Sequence, residues 1–170
     1  GPLWAMFWLN AMRLSGSIES VGMLIALLNT ALIPLTYLLT LRLFSKNTAL
    51  LSALFQAINP WMVYYSIGSY NTLLIGLPAI LISLALATVF QSHKSLHSFW
   101  ISFLALIAFQ FHGAIFPFFC AALFLMLIHR KRVNWMAFAS GLMAAIPFYW
   151  RYILEENTTG WNNTKMMLAK

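Results

Sequence analysis

The sequence predicts an all-α, polytopic membrane protein with about six transmembrane helices, preceded by an interfacial juxtamembrane helix. Three observations predict it. Of the 170 residues, 62% are hydrophobic and 8% charged, with a mean hydropathy of +0.81, whereas a soluble domain carries roughly 25% charged residues. There is no Asp, and Glu19, Glu155 and Glu156 are the only acidic residues. Between Ser20 and Phe90 the only formal charges are Arg42 and Lys46. A bilayer imposes that spacing, because an ionised group at its centre costs several kcal/mol.

The elements follow in order. Residues 1–18 interleave Trp4, Phe7, Trp8 and Met12 with Asn10, Arg13, Ser15 and Ser17, the pattern of a helix lying at the interface and ending near Gly16. Residues 19–150 form the transmembrane module, and residues 151–170 begin an exterior segment. The first span is expected from Val21 to Phe44 and the second from Thr48 to Ser66, with Asn59-Pro60 inside it. The third is expected from Tyr70 to Phe90. The stretch Phe99–Ile128 is too long for one upright span, and its break at Gln110-Phe111-His112-Gly113 predicts a hairpin of two short or tilted helices. A last span runs from Val133 to Trp150. Helices are required because lipid offers no partner for free backbone groups, and barrel-type alternation is absent. Trp61, Tyr64, Tyr65, Trp100, Trp135 and Trp150 at span ends fit aromatic belts.

Basic residues set the orientation. Arg42 and Lys46, then Lys94, then Arg130, Lys131 and Arg132 occupy alternate loops. Those loops are cytoplasmic by the positive-inside rule. Six spans then leave both ends of the chain outside, so at least one further span is expected upstream and a longer exterior segment downstream. The net charge of +7 does not point to nucleic acid, because the cations sit singly or in one short cluster between apolar runs. Membrane lipid is the expected partner. Cys120 is alone, which excludes a disulfide framework and a Cys-based metal site.

Polar residues near the exterior span ends are the candidate site. Tyr64, Tyr65, Ser66, Tyr70 and Asn71 cluster about a short exterior turn behind Pro60. Their hydroxyls and rings suit sugar or phosphate recognition; an interfacial aromatic belt with turn residues is the simpler and favoured explanation. His112, beside Gly113 at the hairpin tip, suits an anionic headgroup or acid/base work, or is a satisfied interfacial residue. Glu19 favours the N-terminus of the first span through the helix dipole. Asn29, Gln56 and Gln110 lie within spans, where polar side chains bond between helices. His93, His97 and His129 read as solvated cytoplasmic loop residues. Asn157-Thr158-Thr159 and Asn162-Asn163-Thr164 match the N-glycosylation acceptor pattern.

Gly1-Pro2-Leu3-Trp4, the turn Arg42-Leu43-Phe44-Ser45-Lys46-Asn47-Thr48-Ala49-Leu50 and the run Ala57 to Ser66 with Pro60 and Tyr65-Ser66 together resemble the C-type glycosyltransferase superfamily, in its protein O-mannosyltransferase and aminoarabinose-transferase branch. The resemblance implies transfer of a sugar from a polyprenyl-phosphate-linked donor on the exterior face. It also implies an Asp general base in an exterior loop, which this chain would carry upstream of Gly1, and a divalent metal in several branches. Tyr64, Tyr65, Tyr70, Asn71 and His112 become the substrate-binding candidates, and a bacterial cytoplasmic membrane is expected in preference to the endoplasmic reticulum. Ile67 and Asn71 stand where relatives carry an Arg and an acidic residue. A transporter or flippase subunit and a non-catalytic scaffold are the alternatives.

Overall fold

The computed structural model describes residues 2–66, 74–92, 96–162 and 164–165. Among them the chain is all-helical, with ten α-helices, two short 3-10 turns and no strand.

Helix α1 (Pro2–Ser15) starts on a proline, which gives up no hydrogen bond at a first-turn position. It stops at Gly16, whose φ of +73° is a left-handed conformation that glycine adopts without strain. Ser17 then caps α2 (Ile18–Thr30), its Oγ accepting from Ser20 N at 3.3 Å, and Glu19 sits in the first turn, where the helix dipole favours a carboxylate. α2 continues through Ala31 into α3 (Leu32–Leu43). The interruption at Ala31 goes with Pro34, which has no N–H for the Thr30 carbonyl. Together they form a 26-residue rod, Ile18–Leu43, long and apolar enough to cross a membrane. Only 17% of its most apolar window is buried, whereas the core helix of a soluble protein is mostly buried.

Ser45 turns the chain and caps α4 (Lys46–Ile58), which packs back along α3. Asn59 is extended, at φ −62° and ψ 114°, because the residue before proline is driven out of the helical region. Its Oδ1 accepts from Trp61 N at 3.0 Å and so starts α5 (Pro60–Ser66). The predicted Thr48–Ser66 stretch is therefore two helices. α6 (Gly76–Ser92) runs parallel to α3: Gly76 lies against Leu32, while at the far end the Arg42 guanidinium donates to Thr88 Oγ1 and Gln91 Nε2 donates to the Arg42 carbonyl.

α7 (His97–Phe111) and α8 (Ile115–Ile128) meet at His112–Ala114, within a residue of the predicted break. A 3-10 turn at Arg130–Arg132 leads to α9 (Trp135–Ala145), capped by Asn134 Oδ1 accepting from Ala137 N at 3.0 Å. The predicted last span is again interrupted, by a 3-10 turn at Ile146–Tyr149 containing Pro147. The segment expected to lie outside begins as helix: α10 (Trp150–Thr158).

The core lies between α6, α7, α8 and α9, where Ile82, Val89, Ile101, Ala122, Met126 and Phe138 are buried together. α7 and α9 run parallel in tight contact. Asn134 N donates to Ser98 Oγ at 3.3 Å, Ser102 Oγ to the Phe138 carbonyl at 2.7 Å, and Tyr149 OH to the Leu106 carbonyl at 2.7 Å. Small residues make this approach possible: Ser98 and Ser102 on α7, and Ala137, Gly141 and Ala145 at four-residue spacing on α9. A Cβ on Gly141 would overlap Ser102 Oγ and the Phe99 carbonyl.

The topology gives the bundle two unlike ends. Arg42, Lys46, Phe90 and the Arg130–Arg132 turn share one, where the Arg132 guanidinium donates to the Phe90 carbonyl and the His129 ring lies 4.7 Å from that of Phe90. These groups were expected as loop charges and solvated histidines, yet Arg42 and Arg132 also tie α3 and the α8–α9 turn to α6. The other end holds Leu74, Phe111 and α1.

Gly141→Val is expected to cost about 1–3 kcal/mol by overpacking, seen as a lowered unfolding temperature in detergent. Met143→Val, on the exposed side of the same helix, should leave that temperature nearly unchanged.

Candidate functional site

The end opposite Arg42 and the Arg130–Arg132 turn holds Gln110 and His112, and Arg13 lies on the helix that covers it. α1 lies across it as a roof. Trp4 and Phe7 stack at 5.7 Å, and both meet Phe111 edge-on at 6.4 Å. Ala11, Val21, Ile25 and Leu74 are buried beneath. The helix is held because its apolar stripe (Trp4, Phe7, Trp8, Met12) follows the 3–4-residue spacing of one helical face and lands on α2 and the last turn of α7.

His112 follows Phe111 directly. It ends α7 in an extended conformation, and its Nδ1 accepts from Ala114 N at 3.0 Å. A ring nitrogen that accepts carries no proton, so the neutral ring holds its proton on Nε2 and presents a donor there. Two residues before His112, Gln110 is only 4% exposed, and among the described residues its buried Oε1 has no partner. The rest of its amide lies within hydrogen-bonding reach of Tyr149, whose hydroxyl donates to the Leu106 carbonyl. An orphaned buried carbonyl oxygen costs about 1–3 kcal/mol and calls for a donor from a ligand or water. Gln110 and Asn29 were both expected to bond between helices: the Gln110 amide reaches Tyr149, whereas among the described residues the buried Asn29 Oδ1 has no partner.

The other candidates fare differently. Tyr64 stands on α5, 70% exposed. α5 packs on α2 and α4. Tyr65 lies in α5, but its side chain, like Tyr70 and Asn71, falls outside the described residues. Among the described residues no three His, Cys, Asp or Glu side chains lie together to hold a metal. Among these residues, then, the divalent metal that the family resemblance implies has no donor set.

Two features were not legible beforehand. The Gln110–Tyr149 pair joins residues 39 apart in sequence (149 minus 110). At the cationic end, Arg42, Thr88, His97 and Trp100 converge on a cleft of about 400 Å³ between α3, α6 and α7. Both depend on helix pairing, and no local motif announces either.

No protein-family model, curated protein or solved structure matches the chain.

Phe111→Ala removes the ring that both Trp4 and Phe7 contact and is expected to cost about 2 kcal/mol. Amide exchange should rise across α1 while α9 keeps its protection.

Proposed function

We propose that the chain is the membrane-embedded module of a glycosyltransferase, moving a sugar from a polyprenyl-phosphate donor to an acceptor on the exterior face of a bacterial cytoplasmic membrane. It crosses that membrane about six times. Surface chemistry supports the embedding. Leu14, Met23, Leu27, Phe55, Phe124 and Met136 are among the large apolar side chains facing outward, and a protein in water does not leave so broad an apolar surface uncovered. Several spans are composite. α4 and α5, of 13 and 7 residues, act as one broken span through Asn59, as do α9 and the 3-10 turn after it, of 11 and 4. α6, α7 and α8, at 17, 15 and 14 residues, are accommodated by local thinning and by flanking side chains that reach the interface.

The observation that carries the catalytic reading is the roofed polar end: an amphipathic helix docked through aromatic rings beside Gln110, His112 and Tyr149, opposite the cations. A lipid-linked donor keeps its chain in hydrocarbon and its phosphate at the interface, and span ends under a juxtamembrane helix meet both needs. On this reading the His112 Nε2–H faces the donor phosphate and Gln110 Oε1 accepts from a sugar hydroxyl. The family resemblance also implies an Asp general base; the 170 residues contain no Asp.

One observation favours a transporter instead. Asn29, Thr30 and Gln56 line a cavity of about 80 Å³ beside Met62 and Val63 of the broken helix, and broken helices with polar linings mark transporter sites. None of its lining residues (Asn29, Thr30, Ile33, Gln56, Ala57, Met62, Val63) is ionisable, whereas transporters usually place charge at such depth. The enzyme reading is therefore preferred.

The test is transfer of labelled sugar from a synthetic polyprenyl-phosphate sugar by the full-length protein in liposomes. His112→Asn keeps an acceptor for Ala114 N–H but loses the outward donor, so transfer should fall about tenfold or more with the fold intact. Wild-type rates in that variant, or no transfer by the unaltered protein, would refute the reading.

A further inference from the structure

The cleft at the cationic end has a composition the roofed site does not explain. Its inner wall is apolar, built from Leu38 on α3, Leu81, Leu84 and Ala85 on α6, and Leu104 on α7. Its mouth is polar, with Arg42, Thr88 and His97. Trp100 stands at the rim, 46% exposed. Along α6 the lining runs from Leu81 to Thr88, about two helical turns or roughly 10 Å. The apolar part therefore extends away from the cationic end toward the middle of the bundle. Leu38, Arg42 and Trp100 are exposed, so the cleft opens sideways, toward the surroundings of the bundle.

Arg42 is held at this mouth without an acidic partner. Thr88, only 4% exposed, donates to the Leu84 carbonyl at 2.8 Å and accepts from the Arg42 guanidinium. Gln91 fixes the Arg42 backbone through its carbonyl. One N–H of the guanidinium is engaged by Thr88, and the group carries several more. The chain's three carboxylates lie elsewhere. Glu19 is in the first turn of α2, at the opposite end of the rod that ends at Leu43, and Glu155 and Glu156 are in α10. An arginine pre-set by a hydroxyl, with no carboxylate to neutralise it, beside a histidine and above an apolar slot, is complementary to a phosphate ester attached to a hydrocarbon chain.

We infer that this cleft binds an anionic phospholipid of the cytoplasmic leaflet, its phosphate on Arg42 with His97 alongside and one acyl chain between Leu38, Leu84 and Leu104. The inference rests on the membrane embedding and is independent of sugar transfer, because the roofed site lies at the other end. The bound lipid would fill the gap between α3 and α7 on the face of α6.

The experiment is lipid retention by the purified protein from nanodiscs of mixed phosphatidylglycerol and phosphatidylcholine, read by native mass spectrometry. Wild type should retain phosphatidylglycerol selectively. Arg42→Gln should lower that retention about tenfold, the loss of one charge-assisted contact. Leu84→Trp, which fills the slot and leaves Arg42 in place, should lower it as well. Lys46→Gln, at the same end but outside the cleft, should leave it unchanged. Equal retention of the two lipids, or full selectivity in both cleft variants, would overturn the site. Displacement by soluble glycerol phosphate would show a free-phosphate ligand and overturn the lipid assignment. Retention of no lipid at all would overturn the embedding itself.

Discussion

With 8% charged residues and no Asp, this chain has almost nothing with which to satisfy a backbone group outside a helix. That scarcity is the constraint on which the rest depends. Each N–H and C=O has to find its partner within its own helix or through a short list of caps, and those caps are where the few polar residues have gone. Ser17, Ser45 and Asn134 each start a helix by accepting a backbone N–H from three residues on, and Asn59 opens α5 through Trp61 N. The cations serve the same economy. Arg132 takes the Phe90 carbonyl at the end of α6, and Arg42 takes Thr88. On the proposed embedding, apolar contact between helices gains little, and close packing of small residues takes over. The contact of Gly141 with Ser102 and the Phe99 carbonyl is the tightest such point.

Parallel pairing turns this scarcity into polarity. α3 lies parallel to α6, and α7 to α9, so their C-terminal ends fall in register: Arg42 with Gln91, and Leu106 with Tyr149. The first pair closes the cationic end and the second closes the roofed end. One end thus collects Arg42, the Arg130–Arg132 turn and a cleft with an apolar wall. The other collects an amide oxygen without a partner, a histidine donor and an amphipathic helix. The proposed transfer chemistry and the proposed lipid site are separated by the length of the bundle.

Much of the fold was legible in the sequence. The helical class followed from hydropathy, the Gly16 stop from a glycine at a helix end, and the α7–α8 break from His112-Gly113. The interruptions were harder to read. A hydropathy run does not reveal that Asn59, extended before Pro60, separates two helices, or that Pro147 forces a 3-10 turn, because proline in an apolar stretch can also merely bend it. The site was legible in part. His112 lies at the α7–α8 hairpin tip that Gly113 marks, and Tyr64 stands 70% exposed on α5. The Gln110–Tyr149 contact and the role of His97 beside Arg42 were hidden, since each needs the pairing of distant helices to exist at all. The helical character of α10 was missed because its polar composition reads equally as loop.

The two-ended arrangement can be tested by labelling. In a Cys120→Ser background, which removes the exposed free thiol, A114C marks the hairpin tip and K131C marks the cationic turn. In intact spheroplasts a membrane-impermeant maleimide should label the first variant from outside and the second only after permeabilisation. Labelling of both from the same side would contradict the account.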